Sequence, residues 1–354
     1  MTGAGPLETV RVVELASLGP VPFCAQLLGD LGAEVIRVDR PRPATLPGLD
    51  PYLITSRNKR TIEADLKRPE GFEAVVELLD GADVLLEGFR PGVAERLGLS
   101  PGVCLARNER LVYGRCTGWG RIGPLAERAG HDINYVALSG LLSLIGDPAA
   151  PPPPTLGLLG DHGGAGMLLT VGVLTALLER HASGLGQVVD ASILEGALAL
   201  STPYHESLAQ GERTEERWTT IADGSAPFYN CYETADGRYV AVGAIEPEFY
   251  SELLAVLGLD PAELPDQFDR ASWPQLRATF AACFLTRPRN EWVDAARDRD
   301  CCLAPVLTLN EVPRHAQHRA LGTFADVGGI VEPTALPRFS RTPAAPPRPA
   351  RSHV

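Results

Sequence analysis

The sequence predicts an α/β protein, with a large Rossmann-like domain built on a parallel sheet and a smaller α+β domain after it. Three observations carry that expectation. Residues 10–15 (VRVVEL), a helical pattern over 23–31 closed by Gly32, and the run 34–38 make a β-α-β unit ending at Asp39 and Arg40. Helix-then-strand alternation recurs downstream. Past position 228 the texture changes, and residues 228–234 and 238–244 flank Ala235-Asp236-Gly237, a hairpin signal.

In order, a helix over 69–79 precedes a strand over 83–87, and a helix over 101–107 precedes a strand over 110–116. An apolar helix over 133–144 runs into the proline- and alanine-rich stretch 148–154, which reads as a rigid spacer. Residues 167–180 (MLLTVGVLTALLER) are apolar nearly all round and are expected in the core. A strand over 187–191 and a helix from 192 to 200 follow, then a polar, acidic excursion at 206–217. Short helices are expected at 247–257, 273–284 and 290–297. An extended pattern returns at 324–331, and the tail 341–354 is expected to be poorly ordered or to wrap another surface. The implied division is 1–200 for the first part of the large domain, 201–227 for a linker, 228–322 for the small domain and 323–354 for the return.

With 354 residues, 45% of them hydrophobic and 21% charged, the chain has the composition of a folded globular protein. Its 36 Gly and 31 Pro exceed the usual shares of roughly 7% and 5% and predict many tight turns. A net charge of −12 without a concentrated basic face excludes a nucleic-acid binder. The early cluster Arg37, Arg40, Arg42, Arg57, Lys59, Arg60, Lys67 and Arg68 suits a small polyanion such as a nucleotide phosphate, or is only a solvated surface. Seven cysteines without a CxxC pair, no amino-terminal signal pattern and no apolar run long enough to span a bilayer lead us to expect a cytoplasmic protein with reduced thiols, away from membranes. His315 and His318 lack a third ligand, so no metal is expected.

Chemistry concentrates in residues 118–167. Gly118-Trp119-Gly120-Arg121-Ile122-Gly123 spells G-x-G-x-x-G, but Pro124 follows at once and no amphipathic helix begins, so it is no dinucleotide fingerprint. His131 lies between Gly130 and Asp132. Asp161 opens the run Asp161-His162-Gly163-Gly164-Ala165-Gly166 ahead of the apolar helix. Glycine lets the backbone approach a ligand closely, and amides at a helix start favour negative charge. Two titratable groups of different type are suited to face one reacting carbon from opposite sides. The residues alone leave other readings open: His131 as an ordinary hydrogen-bonding side chain, and Asp161 and Glu246 as helix caps.

The segments RVVELA, GDLGAEVIRVDRP, RNKRTIEADLK, ADVLLEGFRPGVAERLGL, TGWGRIGP, AGHDINYVALSGLL, GDHGGAGM, GQVVDASILEGA, YETADGRYVAVGAIEPEFY and RFSRT resemble family III CoA transferases (CaiB/BaiF), and most closely their α-methylacyl-CoA racemase branch. The resemblance implies an interlocked, chain-link homodimer with active sites where domains of different subunits meet. It implies an acyl-CoA racemase or epimerase that interconverts C2 epimers of a 2-methyl or other 2-substituted acyl-CoA through an enolate, with no cofactor because the CoA thioester is the substrate. It assigns the two bases to His131 (GHDINY) and Asp161 (GD-x-GG), and the acid partner of the histidine to Glu246 (AIEPEFY). Such bases need pKa values near neutrality, so Asp161 has to be raised by desolvation. The Asp132 amide is expected to face the enolate oxygen.

For the CoA, the resemblance puts the adenosine against Ala64, Asp65, Leu66 and Lys67, brings Arg40 and Arg90 to the base and phosphates, and runs the pantetheine along Gly130, Asp132, Ile133, Asn134 and Tyr135. The alternative within the family is a CoA transferase in which Asp161 attacks the thioester; a silent CoA-binding protein is the alternative outside catalysis. Two departures stand out. His162 occupies a position where the racemases carry an aromatic or apolar residue. Only 2 Met are present, and Ser201-Thr202-Pro203-Tyr204-His205 stands where a methionine-rich acyl surface is expected, which points to a narrower or more polar acyl group.

Overall fold

A computed structural model of the chain describes residues 5–41 and 56–350; Arg42 lies outside them. The chain divides into two compact units, one within Met1–Leu141, Pro154–Thr202 and Ala316–Val354, the other within Leu142–Pro153 and Pro203–His315.

The first unit is built on six strands and their helices: β1 (Arg11–Leu15), α1 (Pro20–Asp30), β2 (Glu34–Asp39), β3 (Lys59–Glu63), α2 (Pro69–Asp80), β4 (Val84–Glu87), α3 (Val93–Arg96), α4 (Pro101–Arg107), β5 (Val112–Thr117), α5 (Asp132–Leu138), α6 (Met167–Ser183), β6 (Val188–Ser192) and, as far as Thr202, α7 (Ile193–Ala209). All the strands are parallel, in the order β3-β2-β1-β4-β5-β6. The central strands read as unbroken apolar runs because both faces are covered. Val12, Val35, Val84 and Leu86 pack with Val21, Leu28, Leu169 and Val173 on one face, and Val13, Val38 and Leu85 with Val75, Leu79 and Leu99 on the other.

Several sequence expectations need correction. The strand β3 (KRTIE) reads as polar, and no strand is expected there from the sequence; its Lys59 is buried because Nζ donates to Glu14 Oε2 at 2.7 Å. The helix expected over 133–144 stops at Leu138, where Ser139 turns its hydroxyl back onto Val136 O and Gly140 takes a φ of 84°. The helix expected to end at 200 continues to Ala209 through Pro203. Thr202 Oγ1 donates to Ala199 O, the carbonyl that the missing Pro203 N–H leaves open. In α6 only one stripe is buried, including Leu169, Val173 and Leu177, while Val171 and Leu178 stand 57% and 72% exposed. Together with the turn before it, α6 makes one helix, Leu158–Ser183, long and apolar enough to cross a bilayer by length and composition alone, yet it packs on β5 and β6.

The second unit holds the antiparallel sheet β7 (Tyr229–Glu233), β8 (Tyr239–Gly243) and β9 (Leu303–Pro305), with α8 (Pro247–Leu257), α9 (Trp273–Phe284) and α10 (Arg289–Ala295). Its core is aromatic: Phe228, Tyr232, Trp273, Phe280, Phe284 and Trp292 are buried together. Residues 142–153 belong here rather than to the large domain, tied by Arg217 Nη1 to Ile145 O at 3.3 Å. The return to the first unit begins at Ala316, ahead of the expected 323, with α11 (Ala316–Leu321) and the hairpin β10 (Phe324–Val327) and β11 (Ile330–Pro333). The described part of the tail lies on its own chain, where Asn58 and Arg348 exchange two hydrogen bonds of 3.0 and 2.8 Å.

Candidate active site

In a parallel sheet the strand order reverses at a switch point, and the loops beyond the carboxyl ends of the strands part there to leave a crevice. Here the reversal falls between β1 and β4, and a cleft of about 650 Å³ opens at that edge. Residues beyond all six strands line it: Ala16–Pro20 after β1, Arg40 after β2, Ala64–Lys67 after β3, Gly88–Pro91 after β4, Gly118 and Trp119 after β5 and Ile193 after β6. His131, Asp132, Tyr135 and Asp161 complete the wall.

Asp161 sits in a π-helix, Leu158–Gly166, that runs directly into α6. The wide turn explains the glycines around it. A Cβ on Gly163 would lie 2.7 Å from Leu158 O, and one on Gly164 2.6 Å from Leu159 O and 2.9 Å from the Gly196 backbone. Side chains there would block both the wide turn and the approach of α7. Asp161 is therefore not the cap of a helix that follows it; it is inside one. The turn is closed by Asp132, whose Oδ1 accepts the Asp161 amide at 2.9 Å while Oδ2 accepts Thr155 Oγ1 at 3.3 Å. Gly19, at φ 75°, leaves room on the other side, since a Cβ there would lie 3.0 Å from Asp161 Oδ2.

Burial pushes the Asp161 carboxyl up to about 6, with the neighbouring Asp132 charge adding to the rise and His162 and His131 opposing it. Cys116 also lines the cleft, but burial raises its thiol well above the ordinary range, which removes it as a nucleophile at neutral pH. His131 stands exposed at the entry to α5, its backbone N–H donating to Asn134 Oδ1 at 3.1 Å. The Asp132 amide is the first of the helix, one of the donors that intrahelical bonding leaves open.

The G-x-G-x-x-G run has a packing reason. A Cβ on Gly118 would lie 2.3 Å from the Tyr135 hydroxyl, and Gly120 and Gly123 take φ values of 89° and 96°. The space serves Trp119 and Tyr135, which meet edge to face at 4.5 Å.

Of the residues that the sequence singles out, Arg40, Ala64, Asp65, Leu66, Lys67, Arg90, Gly130, His131, Asp132, Tyr135 and Asp161 share this cleft. Ile133 and Asn134 do not line it; both are exposed on α5. Glu246 is on the second unit, exposed at the start of α8 ahead of Pro247. Arg128 lines the cleft as a further cation, and Ser17–Gly19 and Phe89 as further wall; no local pattern in the sequence marks any of them. The early basic cluster resolves mostly into internal pairs: Arg37 with Asp39 at 2.8 Å, Arg57 with Asp30 at 2.6 Å, Lys59 with Glu14 and Arg68 with Asp65 at 3.5 Å. From that cluster Arg40 and Lys67 reach the cleft.

The family model described as CoA-transferase family III matches residues 7–352. An alpha-methylacyl-CoA racemase of Mus musculus is 45% identical over 96% of this chain and 88% of its own length, and one of Homo sapiens is 41% identical over the same shares. A succinyl-CoA–D-citramalate CoA-transferase of Chloroflexus aurantiacus is 37% identical over 96% of this chain and 89% of its own. Among solved structures, a CAIB/BAIF family protein from Brucella suis superposes with a TM-score of 0.84 at 27% identity, covering 99% of this chain and 96% of that one.

Proposed function

The chain belongs to CoA-transferase family III, and from that premise we propose that it is an acyl-CoA racemase or epimerase acting at C2 of a 2-methyl or other 2-substituted acyl-CoA. The observation that carries this reading is the pairing, in one cleft, of His131 with an aspartate raised to about 6. A base that must take a proton in one direction and return it in the other works best near the ambient pH. The similarity to two racemases supports the same reading.

In the proposed reaction one base removes the α-proton of the thioester, the enolate oxygen is met by the Asp132 amide at the start of α5, and the other base returns a proton to the opposite face. Glu246 orients the His131 ring and stabilises its charged form, supplied across an interlocked homodimer; its exposure on the second unit and the exposed stripe of α6 are in keeping with that. Arg40, Arg90, Lys67 and Arg128 offer cations for the phosphates of CoA, with Ala64–Leu66 beneath the adenosine. No cofactor takes part, and the enzyme works in the cytoplasm.

In deuterium oxide the protein should exchange the α-proton of a 2-methylacyl-CoA while interconverting its epimers. Absence of exchange across a panel of such thioesters overturns the proposal. The 37% identical transferase keeps a second reading open, in which Asp161 attacks the thioester to form a mixed anhydride. Hydroxylamine would then trap an Asp161 hydroxamate in the presence of acyl-CoA, and His131→Ala would retain most of the activity.

A further inference from the structure

His162 follows Asp161 in the chain, and its ring does something that a hydrocarbon at this position could not do. The carbonyl of Gly157 accepts twice from this one residue, from the backbone N–H at 3.0 Å and from Nδ1 at 3.0 Å. The second bond requires the proton on Nδ1. Phe23 of α1 meets the ring edge to face at 5.0 Å and fixes its plane. The carbonyl so held ends an unusual pair of residues, since Leu156 and Gly157 both take left-handed φ values, 57° and 75°. For Leu156, which carries a Cβ, that conformation is strained. A Cβ on Gly157 would lie 3.6 Å from the His162 ring and 4.0 Å from Asp161 Oδ2, so the ring and the carboxylate both border this turn.

We propose that His162 is a positioning residue for Asp161: its imidazole clamps the first wide turn that carries the carboxylate and sets a second ionisable group beside it. This rests on the reading of Asp161 as a proton-transfer base. The groups whose charge bears on Asp161 are Asp132, His131 and His162, and the carboxylate in turn bears on Cys116 and Tyr135. A protonated His162 favours the ionised carboxylate and opposes the effect of burial.

Two substitutions separate the clamp from the charge. Asn at 162 places an amide donor where Nδ1 stands but carries no charge; Phe keeps a ring against Phe23 but neither donates nor ionises. The first measurement is the carboxyl ¹³C titration of Asp161 in the full-length protein, assigned by its loss in Asp161→Asn. The second is α-proton exchange of each epimer of a 2-methylacyl-CoA, taken separately. In both variants the Asp161 titration should move up from wild type. His162→Phe should lower exchange of the epimer whose α-proton faces Asp161 by about 10-fold or more, as small misplacements of a reacting group do, and change the other epimer by less than about 2-fold. His162→Asn should restore most of that loss. An unmoved Asp161 titration in both variants, or an equal loss for both epimers that Asn does not rescue, overturns the proposal. If the wild-type protein exchanges no α-proton, the base reading fails, while the carboxyl titration still decides whether His162 acts on Asp161.

Discussion

Asp161 is held inside a wide helical turn with its amide on Asp132, glycines on two sides and its carboxyl raised by burial, whereas His131 stands exposed where α5 begins. Both line the same cleft. For the aspartate, the first unit supplies both position and ionisation. For the histidine it supplies position through the start of α5, and the acid that the proposed mechanism gives it lies on the second unit. In the proposed mechanism one base is thus finished within its own unit and the other depends on a group of the second unit. Each half of that asymmetry can be tested.

The largest effect is expected from removing either base. Asp161→Asn and His131→Ala should each reduce epimerisation by about 10²- to 10⁴-fold. Each should still exchange the α-proton of one epimer with solvent, with retention, and the favoured epimer should differ between the two. Exchange of both epimers by both variants at equal rates would replace two bases by one base and a reorienting intermediate. The pH dependence gives a further check. Where Asp161 acts as base it must be ionised and His131 protonated, and in the opposite direction the reverse, so both directions need one proton shared by the pair, and kcat/KM for both epimers should fall alike as the pH drops through about 6. Initial rates from each pure epimer against pH check this.

A smaller effect concerns stability. The Asp161 carboxyl lies above its ordinary 3.8, at about 6, so the folded state disfavours the charged form. Its contribution is fully present below about 3.8 and is lost as the pH rises through about 6. A displacement of that size sets an upper bound of about 3 kcal/mol, and partial solvent contact reduces it to roughly 1–3 kcal/mol. Asp161→Asn removes the charge without opening a cavity. It should therefore be more stable than wild type at pH 8 by that amount and indistinguishable near pH 4, as measured by urea unfolding at both pH values. A variant no more stable at pH 8 would mean that the carboxylate is better solvated than its surroundings suggest. Activity and stability would then pull apart at one residue, as they do where a site stores an unfavourable charge.

The first unit was legible wherever burial decided the sequence. The strands β1, β2, β4 and β5 are apolar runs because both faces of the sheet are covered, and α4 begins with Ser100 before Pro101 and ends as expected at Arg107. The strand β3 was not legible, because its buried Lys59 reads as a surface residue until Glu14 is placed opposite it. The π-helix was hidden for a different reason. Glycines that clear carbonyls in a wide helix spell the same letters as glycines that make a turn, and Gly163 and Gly164 do the former. The catalytic candidates and the CoA segment were carried by motifs, and the cleft contains most of them. Charge counting misled, since Arg37, Arg57 and Lys59 answer acids of their own fold rather than a ligand.

The smallest effect tests the dependent half of the comparison. Glu246 is exposed at the first turn of α8 and makes no side-chain cap there, so removing its charge leaves the helix start as it is. In the proposed mechanism it orients the His131 ring and stabilises the imidazolium. Glu246→Gln keeps the shape and a hydrogen-bonding oxygen but removes the charge, so it should cost about 10-fold, less than the loss of either base itself. The loss should fall on the epimer whose proton His131 handles, leaving exchange on the Asp161 face within about 2-fold of wild type. The His131 titration, followed by NMR of its ring protons, should move down in the variant, because an imidazolium that loses a nearby carboxylate gives up its proton more readily. Equal losses on both faces with an unmoved His131 titration would detach Glu246 from the histidine and leave it as a surface residue of the second unit.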